Sequence, residues 1–181
     1  LCVLGTRLPG CFNVFEMSVR AVLGQQITVK AASTLAARLV AVYGTQVQTG
    51  IEGLTHSFPA PAAILALGEN ISEHLGKLGI ISARANTIYQ LARVLADEKN
   101  DFGFCGNPEE EMQKLQAIRG IGSWTAQYIA MRAMGWPDAF LPTDAGIKKA
   151  LPDHTPKELQ ALSEAWRPWR SYATVNLWNT L

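Results

Sequence analysis

Apolar positions recur at helical spacing along almost the whole chain. Phe15, Val19, Val22 and Leu23 line one face of a first helix, with Asn13 placed to cap it. Gly24-Gln25-Gln26 interrupts the pattern. Thr28 then starts a longer helix through Tyr43, with Ala32, Leu35, Leu39 and Val42 inward and Gly44 closing it. Residues 44–58 are polar and contain glycine, so they read as a loop. Pro59 to Leu67 predicts a short helix with proline near its start, and Ser72 to Leu78 another. Ser82 to Ala96 is longer, with Ala85, Ile88, Leu91, Ala92 and Leu95 as its apolar stripe. Asp97 to Asn107 reads as a loop, and Pro108 opens the next helix.

That helix runs into a turn. Met112, Leu115 and Ile118 share one face before Gly120-Ile121-Gly122, and Thr125, Tyr128, Ile129, Arg132 and Ala133 share another after it. The pattern predicts helix, tight turn, helix, at about 112–134. Glycine allows a turn to take positive φ and lets another molecule approach the backbone. The second helix would start with unpaired N–H groups and a positive dipole, which suits an anion such as phosphate. An ordinary helical hairpin stitched by glycines fits the same residues.

Gly135-Trp136-Pro137 breaks the second helix, and Ala139 to Pro142 crosses in extended form. Thr143-Asp144 caps a short helix through Ala150. Thr155-Pro156-Lys157-Glu158 is a helix N-terminus with cap, proline and acid in order. That helix runs to about Trp166, and Pro168 restarts another carrying Trp169, Tyr172, Val175, Asn176 and Trp178. No run shows the alternation of a strand, and no repeat of 20–50 residues appears. The expected class is all-α and two-lobed. The seam near Trp136-Pro137 would separate a lobe of 14–136, holding the hairpin, from a lobe made of 1–13 plus 137–181.

At 181 residues, 48% hydrophobic and 17% charged, the chain is globular in composition. Its net charge of +1 is no blanket basic charge, so any nucleic-acid contact must be local. Arg7, Arg20, Lys30 and Arg38 make the first part of the chain basic. Three cysteines, Cys2, Cys11 and Cys105, argue against a disulfide scaffold and are too few for a four-cysteine cluster. His56, His74 and His154 are scattered, without metal-ligand spacing. No apolar run reaches the roughly 18 residues of a membrane span.

No phosphate-binding lysine motif, nucleophile elbow or metalloprotease helix is present. Two features carry chemistry. Asp144 follows a proline-bounded crossing and opens a helix, where an aspartate can serve as a cap or as a fixed anion. Five tryptophans, Trp124, Trp136, Trp166, Trp169 and Trp178, all fall in the last third. They could fill a core or wall a pocket that stacks a flat ligand.

Ile118-Arg119-Gly120-Ile121-Gly122-Ser123-Trp124-Thr125-Ala126, Phe140-Leu141-Pro142-Thr143-Asp144 and Trp166-Arg167-Pro168-Trp169-Arg170-Ser171-Tyr172-Ala173 resemble the helix-hairpin-helix DNA glycosylases. With Arg20-Ala21-Val22-Leu23-Gly24-Gln25-Gln26, they are similar to the alkylation-repair branch, 3-methyladenine DNA glycosylase II, over nearly the whole chain. The resemblance implies hydrolysis of the N-glycosidic bond of an alkylated base, of the 3-methyladenine or 7-methylguanine type, in double-stranded DNA during base excision repair. It implies Asp144 as the catalytic carboxylate, with Trp178, Tyr128 and Trp124 around the extruded base. Gly120, Ile121, Gly122 and Thr125 would bind a DNA phosphate, and Gln26 would enter the gap left by the flipped base. Backbone carbonyls of Gln116, Ile118 and Ile121 would hold Na+ or K+, and catalysis would need no cofactor. Bifunctional relatives carry a lysine nucleophile where this chain has Trp124, so a monofunctional enzyme with water as nucleophile is expected. The usual proline before the hairpin glycine is Arg119 here.

The branch also carries an antiparallel β domain ahead of the helical part. With Leu1 as first residue, this chain reads as a fragment that such a domain or another repair module would precede. An intracellular monomer, cytoplasmic and nucleoid-associated if bacterial, is expected. A non-enzymatic helix-hairpin-helix DNA-binding module is the alternative, and a helical interaction domain is a third reading.

Overall fold

The structure is a computed structural model, describing residues 3–96 and 107–181. Among them are ten α-helices: α1 Val14–Leu23, α2 Val29–Tyr43, α3 Pro61–Leu65, α4 Ile71–Gly76, α5 Ser82–Leu95, α6 Pro108–Ala117, α7 Ser123–Arg132, α8 Ala145–Ala150, α9 Pro156–Ser163 and α10 Arg170–Trp178. The start signals act locally as expected. Asn13 and Thr28 accept the amides of Glu16 and Ala31 at the heads of α1 and α2. Thr155 and Glu158 close a reciprocal capping box on α9. All but Asn107 of the loop expected over Asp97 to Asn107 lies outside the described residues.

Three expectations change. Residues 44–58 contain two short strands, β1 Thr45–Gln46 and β2 His56–Ser57, paired antiparallel with Thr45 opposite Ser57. Two residues per strand are too few for alternation to show in sequence. Helix α2 buries Ala36 and Leu39 only, and Val42 is 57% exposed. It packs on α1 and touches β2, so its apolar stripe is narrow. The division of the chain also differs from a seam at Trp136-Pro137. Within the described residues one compact unit takes 13–96 and 117–121, and the other takes 3–12, 107–116 and 122–181. The reason is local: Trp136 donates its amide to the Ala130 carbonyl, and Ser171 holds the Trp136 carbonyl. The crossing thereby stays with α7 and α10.

In the first unit α5 is central, with α1, α3 and α4 packed on it. Leu23, Leu39, Ile64, Leu75, Ile80, Ile88 and Leu91 are fully buried there. In the second unit two apolar clusters form. Phe140, Ile147, Leu159 and Leu177 bring α8, α9 and α10 together, with Trp166 edge-on to Phe140. Met131, Ala139 and Leu141 form the other, covered by Leu8, Trp124, Tyr128, Trp136 and Trp178. No helix among the described residues is long and apolar enough to cross a membrane.

Candidate active site and hairpin

The crossing that delivers Asp144 is fastened on both sides. Gln127 of α7 accepts the Phe140 amide at 3.2 Å, and Ser171 of α10 accepts the Ala139 amide at 3.0 Å. Ahead of them, Asp138 receives Arg170 Nε at 2.7 Å and Nη2 at 2.8 Å, and Arg167 Nη1 at 2.6 Å. Burial alone would raise the Asp138 carboxyl. The hydrogen bonds and charge of Arg170, joined by Arg167, outweigh it and hold Asp138 below the ordinary aspartate range. The Arg167 guanidinium is raised in turn by its bond to Glu164 and by Asp138.

Asp144 is the N-cap of α8 and is 9% exposed. Its Oδ1 accepts the amides of Gly146 at 2.9 Å and Ile147 at 3.1 Å, and Trp178 Nε1 at 2.9 Å. Its Oδ2 accepts Trp124 Nε1 at 3.1 Å. Indole nitrogen only donates, and each carboxylate oxygen has about two lone pairs. Oδ1 is therefore saturated, and Oδ2 keeps an unused acceptor direction. Both capping amides fall on Oδ1.

The aromatic residues sort themselves. Trp124 stacks on Tyr128 at 5.2 Å between centroids and 10° between planes, and Trp178 lies 6.4 Å from Tyr128, tilted by 47°. Arg132 sits over Tyr128 at 5.6 Å and donates to its hydroxyl. Trp136 and Trp166 pack into the two clusters, and Trp169 is 58% exposed. The rings thus fall in different settings. Trp124, Tyr128, Trp178 and Asp144 form one constellation, a carboxylate with an aromatic surround. The hydrogen bonds from both indoles to the carboxylate were not expected from sequence.

The turn of the hairpin belongs to the other unit through 117–121. Gly120 has φ +95°, and a Cβ there would stand 2.0 Å from Thr87 Oγ1. Thr87 instead donates to the Arg119 carbonyl at 3.0 Å. Gln25 Nε2 donates to the Gly120 carbonyl at 2.9 Å, and Arg84 donates to the Gln25 carbonyl. Ile118 and Ile121 are buried legs, and Arg119 is exposed. Gln26 beside this network is exposed, with φ 55°. In the unit with Asp144, Gly122 is the N-cap of α7 and offers no side chain to its first turn. Thr125 is 2% exposed. The carbonyl of Ile118 accepts the Ile121 amide and retains a second lone pair; Gln116 is exposed. No group of His, Cys, Asp or Glu among the described residues could hold a metal ion.

Sequence reasoning missed Gly146, Asp138, Thr87 and Arg84. The separation of Arg84 and Thr87 by one helical step, with α5 otherwise apolar on that side, was the available signal for the last two. Gly146 stood in the first turn of a capped helix, where glycine has no local use.

Residues 19–169 match the HhH-GPD superfamily base excision DNA repair protein family, and the chain belongs to that family. It is 38% identical over 176 residues to DNA-3-methyladenine glycosylase 2 of Escherichia coli, covering 97% of this chain and 61% of the relative. It is 41% identical over 181 residues to the probable bifunctional transcriptional activator/DNA repair enzyme AlkA of Mycobacterium tuberculosis, covering 98% of this chain and 35% of that protein. Among solved structures, the 3-methyladenine DNA-glycosylase of Archaeoglobus fulgidus superposes with TM-score 0.80 at 24% identity, over 94% of this chain and 58% of that one. The fission yeast 3-methyladenine DNA glycosylase Mag1, solved with abasic DNA, superposes with TM-score 0.77 at 21% identity, over 97% and 84%. These two likenesses bear on fold, which is the helical glycosylase fold expected.

Proposed function

We propose that the chain is the catalytic part of a monofunctional DNA glycosylase that excises alkylated bases from double-stranded DNA. The observation that carries the reading is the Asp144 carboxylate, held by four N–H donors beside the stacked Trp124 and Tyr128. The names of the Escherichia coli and Mycobacterium tuberculosis relatives support it.

A base inside a duplex must be extruded before its sugar bond can be reached. Alkylation at N3 or N7 makes a purine cationic and a good leaving group. The enzyme then has to stabilise the cationic sugar as the bond breaks, and a preorganised anion does this. Asp144 takes that role through Oδ2, and water completes the hydrolysis. Trp178, Tyr128 and Trp124 attract the electron-poor base through their faces. An aromatic surround with few polar groups discriminates weakly between bases, so a broad lesion range is expected. Trp124 offers no amine for a Schiff base, which supports the monofunctional reading.

Gly120, Ile121, Gly122 and Thr125 hold a DNA phosphate, aided by Arg119 and the α7 dipole. Gln26 fills the gap left by the extruded base. Carbonyls of Gln116, Ile118 and Ile121 would hold Na+ or K+, which would neutralise phosphate charge at the hairpin; catalysis needs no cofactor. The protein acts as a monomer inside the cell, where DNA is.

The test is release of 3-methyladenine or 7-methylguanine from alkylated duplex DNA by the chain and by Asp144→Asn. Abasic sites are expected from the former and a large loss from the latter. A variant rate within about threefold of the parent, roughly 0.7 kcal/mol, removes Asp144 from the reaction. Salt-sensitive duplex binding with no abasic product would favour the non-enzymatic binding module instead.

A further inference from the structure

Gly146 occupies the second position of α8, where helix propensity favours alanine. Its backbone φ lies outside the left-handed region, so conformation does not require glycine. What requires it is a neighbour. A Cβ on Gly146 would stand 2.7 Å from Trp178 Cδ1, 2.9 Å from Trp178 Nε1 and 3.1 Å from Asp144 Oδ1. Real Cβ atoms essentially never approach so closely as the first two, and the indole is a rigid ring rather than the end of a flexible chain. The Trp178 side chain is packed against Met131, Ala139 and Leu141, which limits its retreat.

We infer that Gly146 is a positioning residue: its missing side chain is the space in which Trp178 lies edge-on to Asp144. This rests on the catalytic reading of Asp144. The Trp178 N–H occupies Oδ1 at 2.9 Å, and the Gly146 amide occupies the same oxygen at 2.9 Å. Together they leave Oδ2 as the oxygen that meets the sugar. Trp178 in this seat presents its ring to the base at a height fixed by the carboxylate itself. A side chain at 146 pushes the indole off Oδ1 and shifts the stacking face, while the α8 cap, made by the Gly146 and Ile147 amides, can persist.

The experiment is Gly146→Ala in the intact chain, followed by three measurements. Single-turnover release of 7-methylguanine should fall about tenfold or more, because small misplacements of positioned groups cost heavily. Duplex affinity should stay within about twofold, and thermal stability should not fall in step with activity. The indole N–H resonance of Trp178, assigned by its absence in Trp178→Ala, should lose its hydrogen-bonded shift. In the Trp178→Ala background, adding Gly146→Ala should change the rate by less than about twofold, since there is no ring to displace. An unmoved Trp178 resonance, or a parent-like rate in Gly146→Ala, overturns the inference, as does an equal loss in both backgrounds. Asp144→Asn run alongside keeps the failures apart. Full activity there sinks the catalytic reading; an inactive Asp144→Asn with a normal Gly146→Ala sinks only the role of Gly146.

Discussion

Two regions of this chain hold their working atoms in opposite ways. Around Asp144 the working atoms are side chains: a carboxylate fixed by two amides and two indoles, with stacked rings beside it. In the turn at 117–121 they are backbone atoms, and the side chains are struts. Thr87 and Gln25 each hold one carbonyl of the turn, and Arg84 holds Gln25. The contrast suits the two tasks proposed for them. Stabilising a transient cation needs a charge that cannot reorient. Gripping a repeated phosphate needs exposed N–H groups at a fixed angle, which any sequence supplies if the backbone is shaped. Substitutions should therefore act on different steps in the two regions.

The largest effect is expected at the carboxylate. Asp144→Asn keeps shape and can still cap α8, yet removes the charge. Its single-turnover rate should fall about 10³-fold, near 4 kcal/mol, with duplex affinity close to that of the parent. An equal loss of affinity would break the separation of the two regions. Next comes the buried ion network under the crossing. Asp138→Ala strands Arg170, which is 7% exposed. Removing one partner of such a pair costs about 3–5 kcal/mol, here about 3, because Glu164 still reaches Arg170 from a half-exposed position. Thermal denaturation should show the loss. The sign with pH follows from the depressed Asp138 carboxyl. Its contribution is present above the ordinary aspartate value, about 4, and is lost as pH falls through the lower folded value. Asp138→Asn should flatten that part of the stability profile in an acid titration.

Sequence made several helices legible because they start at residues with a local mechanism: Asn13, Thr28, Asp144 and Thr155 are N-caps in the structure as in the pattern. Asp144, Trp124, Tyr128 and Trp178 were legible as a set through the resemblance, and the structure brings them together. Their hydrogen bonds were not, because residues 124, 144 and 178 meet only by tertiary packing. The two-residue strands escaped because they carry no period. The Thr87 strut escaped because it spans 32 residues, and a buried threonine in a helix usually turns to its own preceding turn, as Thr87 also does toward Ala83.

A smaller effect belongs to the turn. Gly120→Ala meets both a φ of +95° and the Thr87 hydroxyl at 2.0 Å. The left-handed conformation alone costs about 1–2 kcal/mol, so duplex affinity should fall roughly tenfold or more. The rate from saturated complex should stay near the parent, the reverse of Asp144→Asn. Paired with Thr87→Ser, which shortens the contact by a methyl but keeps the hydroxyl, Gly120→Ala should be little relieved. Paired with Thr87→Ala, which removes the obstructing oxygen, part of the loss should return.

The smallest effect tests the strut itself. Gln25→Ala deletes the bond to the Gly120 carbonyl, which is solvent-exposed, so water can replace it and the cost should be about 1 kcal/mol or less. The loss should appear in duplex affinity, at about fivefold, and not in the chemical step. Gln25→Glu is the sharper variant. It keeps the length, but a carboxylate cannot donate to a carbonyl, and it brings negative charge toward the turn that is proposed to hold phosphate. Its affinity should fall below that of Gln25→Ala, and the gap should narrow as salt is raised. If instead Gln25→Glu binds as well as Gln25→Ala at low salt, the turn at Gly120 does not face the DNA backbone, and the division of labour between the two regions fails on the side of the hairpin.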